Sequence, residues 1–129
     1  MRRAIIAFHD YTIERHGGLP GIQDADLLDY SISKPWMTAF GSDLFETPYQ
    51  KAAVVAEAIV RNHVFNDANH RTALAATRFV LAFSDLTISA SPDEEIQVIR
   101  DVEQEIRNLQ SFSQWIEAHS LPRQDFNDN

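Results

Sequence analysis

Two segments in the middle of the chain are apolar on almost every side of a helix. Residues 52–60 contain Glu57 as their single charged side chain, and residues 73–83 carry apolar groups at most positions. Helices of this kind lie in the interior of a protein, because they offer no continuous polar face to water. A short polar segment joins the two, which predicts a buried antiparallel helix pair at the centre of the fold.

The segments before this pair also show helical spacing of apolar residues. An N-terminal helix is predicted to end at Gly17-Gly18, and a short helix should run from Asp24 to about Ser33. Lys34-Pro35 closes that short helix, because the residue before a proline avoids helical angles. Residues 36–45 have no clear period and include Gly41. We therefore expect an irregular or hairpin-like flap there.

Two further helix starts carry a capping-box pattern with proline at the first helical position. These are Thr47-Pro48-Tyr49-Gln50 and Ser91-Pro92-Asp93-Glu94. The second start leads into an amphipathic helix, and a last short helix contains Trp115, which should pack. The chain is polar from Leu121-Pro122 onward and is expected to fray. The prediction is one all-α domain over residues 1–122, a compact helical bundle, with a tail at 123–129.

Composition narrows the functional classes. The 129 residues include no cysteine, which removes disulfides, a Cys nucleophile and Cys-ligated zinc. The formal net charge is -8, whereas binders of nucleic acid and of anionic lipid usually present a basic surface. No apolar run is long enough to span a bilayer, and the N-terminus lacks an apolar signal core. We expect a cytoplasmic protein that binds neither nucleic acid nor membrane.

The polar segment between the two central helices is the candidate site. Six of the nine residues from His63 to Arg71 are His, Asn, Asp or Arg. Placing so many polar side chains beside a core is unfavourable in free energy unless the groups are paired or bind a ligand. Asn and Asp are poor inside helices and good at caps. The first helix should therefore stop near Asn62-His63, and the second should start near Asn69.

A helix start of this kind favours an anion. It presents unpaired N–H groups and the positive end of the helix dipole, where phosphates bind. Arg71 could add a bidentate contact to phosphate. Asp67 could hold magnesium together with substrate phosphates, and His63 could take a proton from an attacking hydroxyl. Phe65 is interpreted as an apolar anchor that ties the segment to the core.

The segment resembles the signature of the Fic/Doc family, His-x-Phe-x-(Asp/Glu)-(Gly/Ala)-Asn-(Gly/Lys)-Arg. The matching residues are His63, Phe65, Asp67, Ala68, Asn69 and Arg71. The run Asn66-Asp67-Ala68-Asn69 is most similar to the Doc branch, the toxins of toxin–antitoxin pairs. Residues 16–21, 43–45 and 51–53 also look like Doc-type proteins, so the resemblance covers most of the chain.

The resemblance implies a nucleotide-dependent transferase of the Fic/Doc fold. His63 would be the base for a target hydroxyl, and Asp67 would hold magnesium beside ATP. The expected nucleotide contacts are Asn66, Ala68, Asn69, His70, Arg71 and Arg61. Residues 36–45 would align a segment of the target protein. The Doc branch implies phosphorylation of elongation factor Tu, inhibition of translation, and an antitoxin partner of the Phd type.

One motif position departs from the family pattern and leaves alternatives open. AMP-transferring Fic proteins have Gly before the final Arg, and Doc proteins have Lys, but this chain has His70. A large side chain there is expected to reverse ATP so that its γ-phosphate is transferred, which favours a kinase over an AMP transferase. Some Doc proteins carry Asn where this chain has Ala75. A catalytically impaired binding module is therefore a second alternative.

A different interpretation uses the histidines as metal ligands. In an unbroken helix, His63, Asp67 and His70 would share one face and could hold zinc or iron for hydrolysis. The His9-Asp10 pair is also compatible with a metal phosphohydrolase, although a dipeptide is common by chance. The asparagines of the segment disfavour an unbroken helix. Outside this alternative, His9, His16 and His119 are interpreted as structural or exposed.

Overall fold

The computed structural model describes residues 1–123, which form six α-helices and two short antiparallel sheets. The helices are α1 (Arg2–His16), α2 (Ala25–Ser33), α3 (Pro48–Asn62), α4 (Asn69–Ala82), α5 (Pro92–Glu103) and α6 (Leu109–His119). The strands are β1 (Thr38–Ala39), β2 (Ser42–Asp43), β3 (Leu86–Ile88) and β4 (Ser120–Pro122). A 3₁₀ turn over Lys34–Trp36 follows α2. None of the helices in this part of the chain is both long and apolar enough to cross a membrane.

Helices α3 and α4 form the centre of the fold, as predicted. They pack against each other more extensively than any other pair of elements, and α1, α2, α5 and α6 surround them. Val55 and Ile59 of α3 and Ala73 and Ala76 of α4 are fully buried. Burial of one such Val or Ile side chain contributes roughly 1.5–3 kcal/mol, so this pair supplies the scaffold on which the connecting loop is held.

Both predicted capping boxes are present. At the start of α3, the Gln50 N–H donates to the Thr47 hydroxyl (3.1 Å) and the Thr47 N–H donates to the Gln50 side chain (3.0 Å). Ser91 and Glu94 make the same reciprocal pair at α5, at 3.1 Å in each direction. These side chains satisfy N–H groups that have no partner within the helix, so the starts of both helices are specified locally.

Residues 36–45 contain the predicted hairpin. Thr38 pairs with Asp43 and Ala39 with Ser42, and the two-residue turn between the strands has positive φ at Phe40 (52°) and Gly41 (80°). The Leu44 N–H also donates to the Met37 carbonyl at 3.0 Å. Two positive φ values suit the right-handed twist of a tight hairpin. We call residues 36–45 the flap.

The end of the domain differs from the prediction. Leu121 was expected to open a frayed tail, but it pairs with Thr87 in the β3–β4 sheet. The N–H of Arg123 also donates to the Asp85 carbonyl at 2.8 Å, so the ordered domain passes the predicted boundary at 122. A three-residue strand that pairs with a distant segment leaves no local periodicity to detect. The remainder of the predicted tail, residues 124–129, lies outside the described residues.

Candidate active site

The two central helices are separated by the predicted break. Helix α3 ends at Asn62, and His63 takes the left-handed conformation (φ 47°, ψ 57°). Ala68 is also left-handed (φ 60°, ψ 29°), and α4 begins at Asn69. Left-handed backbone is unfavourable for residues other than glycine and persists where the surrounding structure enforces it. We call residues 63–68 the motif loop.

Asn69 holds the middle of the motif loop from the inside. Its Oδ1 accepts from the Phe65 N–H at 3.0 Å, and its Nδ2 donates to the Phe65 carbonyl at 2.9 Å. Both residues are buried, and the Phe65 ring is part of the core, which confirms its role as an apolar anchor. Asn69 therefore has a structural role, and its predicted contact with nucleotide stays a prediction.

His9 of α1 supports the same loop from behind. Its ring is buried and stacks on the Phe65 ring, with 4.1 Å between centroids. Its Nε2 lies 2.9 Å from the Asp67 carbonyl, and because a carbonyl only accepts, Nε2 must carry the proton. The sequence interpretation of His9 as structural or exposed missed this link to the site. The one available signal was its place on the buried face of α1, between Ile5 and Thr12.

The connection between α1 and α2 runs alongside the motif loop. The Asn66 N–H donates to the Gly21 carbonyl at 3.1 Å, and its side-chain Nδ2 donates to the Pro20 carbonyl at 2.9 Å. The Val64 carbonyl accepts from the Gln23 N–H at 2.9 Å. These bonds join the two segments in the manner of a short antiparallel pair. The main-chain N–H and the side-chain Nδ2 of Asn66 therefore both donate within the protein, and its predicted nucleotide contact stays a prediction.

Asp67 carries an exposed carboxylate that two main-chain groups orient. Its Oδ1 accepts from the Ala68 N–H at 2.9 Å, and its Oδ2 accepts from the Leu19 N–H at 3.2 Å. The hydrogen bonds from Ala68 and then Leu19 lower the pKa of Asp67 below its ordinary value. The group is thus ionised, and each oxygen retains acceptor capacity. This fits magnesium held by one carboxylate and substrate phosphates. The Ala68 N–H is meanwhile engaged, so its nucleotide contact stays a prediction.

His63 and Arg71 are the motif side chains that point to solvent without partners. Both are exposed. Among residues 1–123, neither side chain makes a hydrogen bond or an ion pair. The imidazole of His63 is therefore not packed into hydrocarbon, and a substrate can reach it. Arg71 stands on the first turn of α4, where the prediction for phosphate binding placed it.

His70 is held towards α5. Its Nε2 lies 3.0 Å from the Glu103 carboxylate, and both side chains are partly exposed. This contact ties α5 to the beginning of α4. The larger side chain at this motif position thus has a structural partner that a glycine would lack.

Arg61 lies on the α5 side of the fold. Its Nε donates to the Val102 carbonyl at 3.0 Å and its Nη2 to the Arg107 carbonyl at 3.2 Å. The same guanidinium pairs with Glu57 one turn earlier, at 3.3 Å. These bonds satisfy the Val102 carbonyl in the last turn of α5 and the Arg107 carbonyl in the connection that follows it. Sequence reasoning missed this role, and the predicted nucleotide contact of Arg61 stays a prediction.

A cleft of about 370 Å³ opens beside the beginning of α4. Four predicted site residues line it, namely Asp67, Ala68, His70 and Arg71. His16 of α1 and Arg100 of α5 also line it, and neither was among the predicted site residues. His63, Asn66, Asn69 and Arg61 do not line this cleft. Its volume suits a small-molecule ligand, with the base candidate His63 at the opposite end of the six-residue loop.

The structure contradicts the metal-hydrolase alternative. That alternative needed an unbroken helix to bring His63, Asp67 and His70 onto one face, but the helix is interrupted from 63 to 68. In the described part of the chain, no group of three or more His, Asp or Glu residues could hold a metal ion. The asparagines of the motif explain this outcome, since their side chains bond to nearby main chain in place of a helix.

Comparison with known proteins points to one family. A family model described as the Fic/DOC family matches residues 2–81. The chain is 33% identical to the "Protein kinase doc" of Escherichia phage P1 over 89 residues, which is 69% of this chain and 70% of that protein. It is 34% identical to the "Toxin Doc" of Mycolicibacterium smegmatis over 77 residues, covering 60% of this chain and 59% of that toxin. These matches confirm the resemblance to Doc-type toxins.

Proposed function

Because this chain belongs to the Fic/DOC family, we propose that it is a toxin that transfers the γ-phosphate of ATP to a Ser or Thr hydroxyl of a protein. One observation carries the proposal. An ionised carboxylate, Asp67, and an unpaired guanidinium, Arg71, line one cleft at the start of α4, and the exposed imidazole of His63 stands at the other end of the same loop.

In this reaction His63 acts as general base. Its unprotonated ring nitrogen takes the proton of the target hydroxyl as the hydroxyl oxygen bonds to the γ-phosphorus. The bond from that phosphorus to the bridging oxygen breaks, and ADP leaves with the electron pair. Arg71 and the positive end of α4 stabilise the charge on the transferred group. A histidine suits this role because one nitrogen of the neutral imidazole can accept a proton.

Asp67 would hold magnesium at this site. When bound, the ion neutralises charge on the phosphates and so favours the departure of ADP. The chain supplies the orientation of the carboxylate, because N–H groups of Ala68 and Leu19 bind its two oxygens. The same two hydrogen bonds keep the pKa of Asp67 low, so the carboxylate is negatively charged.

His70 supports transfer of phosphate over transfer of AMP. Its side chain lines the cleft, where a glycine would leave space for a phosphate group. A nucleotide excluded from that space is expected to bind in the reversed orientation, with its γ-phosphate nearest to His63. Transfer of AMP is the alternative, and labelled nucleotide separates the two outcomes.

We further propose an antitoxin partner of the Phd type and elongation factor Tu as the target. An apolar cleft of about 370 Å³ lies next to the site, between α1 and α4, lined by Phe8, Tyr11, Leu74 and Phe79. Arg71 lines this cleft as well. An amphipathic segment laid into it would cover Arg71, which is a direct means of inhibition.

The experiment uses ATP labelled separately at the α and γ positions. The purified chain is incubated with magnesium, labelled ATP and either cell extract or purified elongation factor Tu. Label from the γ position on the protein is the expected result, and label from the α position would establish AMP transfer instead. No label on any protein would favour the binding module.

A pair of histidine variants tests the base. We expect His63→Ala to reduce transfer by roughly 10²–10⁴-fold, the range typical of a general base. The matched control is His119→Ala at the end of α6, which removes an imidazole that does not line the cleft. Transfer that survives unchanged in His63→Ala would contradict the assigned role of His63.

A further inference from the structure

Arg100 of α5 faces the same cleft as Arg71 of α4, although the two residues lie on different helices. Both side chains are exposed. Within residues 1–123, neither guanidinium has a hydrogen-bond acceptor or an ion-pair partner, although the chain carries 19 acidic residues. By contrast, Arg61, Arg78 and Arg107 each lie within 4.0 Å of a carboxylate. An anion bound between two guanidinium groups that share one cleft would offset the repulsion between their positive charges.

The position of Arg100 is set by a rigid element. Ile96, Arg100 and Glu103 fall at i, i+4 and i+7 on α5 and so share one helix face. Ile96 also lines the cleft, and Glu103 binds His70 at 3.0 Å. The opposite face of α5 is fixed in the core by buried residues, including Val102. Arg100 is therefore presented to the cleft by a helix that is attached at both faces.

We propose that Arg100 is a second phosphate-binding residue, which together with Arg71 holds the polyphosphate of a magnesium-bound nucleoside triphosphate. This inference rests on the proposed function, because it names the ligand of the same site. The charges at the cleft define the ligand class. Two guanidiniums favour a group with several negative charges, whereas the Asp67 carboxylate disfavours an anion that lacks a divalent cation.

The test is a binding titration by calorimetry, with ATP and magnesium and, as a second probe, inorganic tripolyphosphate and magnesium. We expect Arg100→Gln to weaken both by about tenfold, the scale of one charge-assisted contact, and to change binding of AMP little. Arg100→Lys should recover part of the affinity, because it keeps the charge and loses the planar fork. The matched control is Arg3→Gln, an exposed arginine on α1 that does not line the cleft.

The outcomes separate this inference from the proposed function. If Arg71→Gln no longer binds ATP but Arg100→Gln binds it like the unaltered chain, the role of Arg100 is overturned and the proposed transfer reaction is not. If Arg100→Gln weakens tripolyphosphate but the unaltered chain transfers no label, the inference holds and the proposed function fails. Absence of any binding of ATP or tripolyphosphate to the unaltered chain overturns both.

Discussion

The motif loop, with six residues, and the flap, with ten, are two short segments that the protein holds in opposite ways. Bonds from three other parts of the chain fix the motif loop: His9 of α1, Leu19 of the following connection and Asn69 of α4. The flap is attached at its base, where the Lys51 ammonium donates to the Phe45 carbonyl and pairs with Asp43 at 3.3 Å.

The difference is visible in burial. The motif loop contains two core residues, Val64 and Phe65, whereas all ten flap residues are exposed or only partly buried, and Phe40 at its tip is fully exposed. A catalytic group that moves by about 1 Å lowers the rate, so a fixed loop suits the roles proposed for His63 and Asp67. A hairpin with few buried contacts can adjust to another protein, which suits the predicted alignment of a target segment.

The largest expected effect comes from removing the inner support of the motif loop. Asn69→Ala leaves the buried N–H and carbonyl of Phe65 without their partners. Each unsatisfied group costs about 1–3 kcal/mol, so we expect the free energy of unfolding to fall by about 3 kcal/mol. Denaturant unfolding measures it. Asn62→Ala, at the exposed last residue of α3, is the control and should differ little from the unaltered chain. Equal stability of the two variants would contradict the role of Asn69.

A smaller effect is expected from the support behind the loop. His9→Leu removes the donor to the Asp67 carbonyl and the ring that stacks on Phe65. We expect a loss of about 2 kcal/mol in the free energy of unfolding, from one unsatisfied carbonyl and poorer packing. His16→Leu on the same helix is exposed and serves as the control. If both variants unfold alike, His9 does not support the loop in solution.

The sequence predicts the position of the motif loop between two helices better than it predicts the contacts that support the loop. The capping boxes at Thr47 and Ser91 follow from local preferences of side chains for main-chain groups, and so do the break at His63 and the start of α4 at Asn69. The contribution of His9 depends on a contact 58 positions away, for which one chain offers no periodic signal. The pairing of Leu121 with Thr87 was missed for the same reason.

The site residues divide in the same manner. The family motif brought Asp67, His70 and Arg71 together in the prediction, and all three line the cleft. Arg100 lies outside the motif, on a helix that the sequence predicts only to be amphipathic. Its place beside Arg71 depends on how α5 packs, and the sequence pattern of α5 alone does not determine that.

A still smaller effect should follow from the close approach of the α1–α2 connection. A Cβ at Gly18 would lie 2.8 Å from the Asp67 Oδ2, whereas a Cβ at Gly17 would meet nothing within 4 Å. Both glycines have positive φ, so Gly18→Ala and Gly17→Ala should each lose about 1 kcal/mol of stability. Only Gly18→Ala should also weaken magnesium-dependent binding of ATP, because it displaces the carboxylate. Calorimetric titration of both variants measures this difference.

The same two variants should also differ in the pKa of Asp67. Hydrogen bonds from Ala68 and Leu19 lower the pKa of Asp67 in the folded chain, so its ionised form adds stability above the ordinary carboxylate value. That contribution is lost as pH falls through the lowered pKa. Gly18→Ala should raise the pKa of Asp67 towards its ordinary value by weakening the bond from Leu19, and Gly17→Ala should leave it unchanged. Carbon-detected NMR of the carboxylate follows both titrations, and equal values in the two variants would contradict the predicted displacement.

The smallest effect on stability is expected at the flap. A flap variant is informative because transfer to a protein target should change while the free energy of unfolding does not. Phe40 is fully exposed at the hairpin tip, so Phe40→Ala should alter the free energy of unfolding by less than about 0.5 kcal/mol and leave ATP affinity unchanged. Transfer to a protein target should nevertheless fall, since an exposed aromatic side chain supplies contact area to a partner. The measurements are unfolding, ATP titration and γ-label transfer on one preparation, with Tyr30→Ala on α2 as an exposed aromatic control. If Phe40→Ala weakens ATP binding, the flap is coupled to the nucleotide site, and the division between a fixed chemical loop and an adaptable recognition hairpin is wrong.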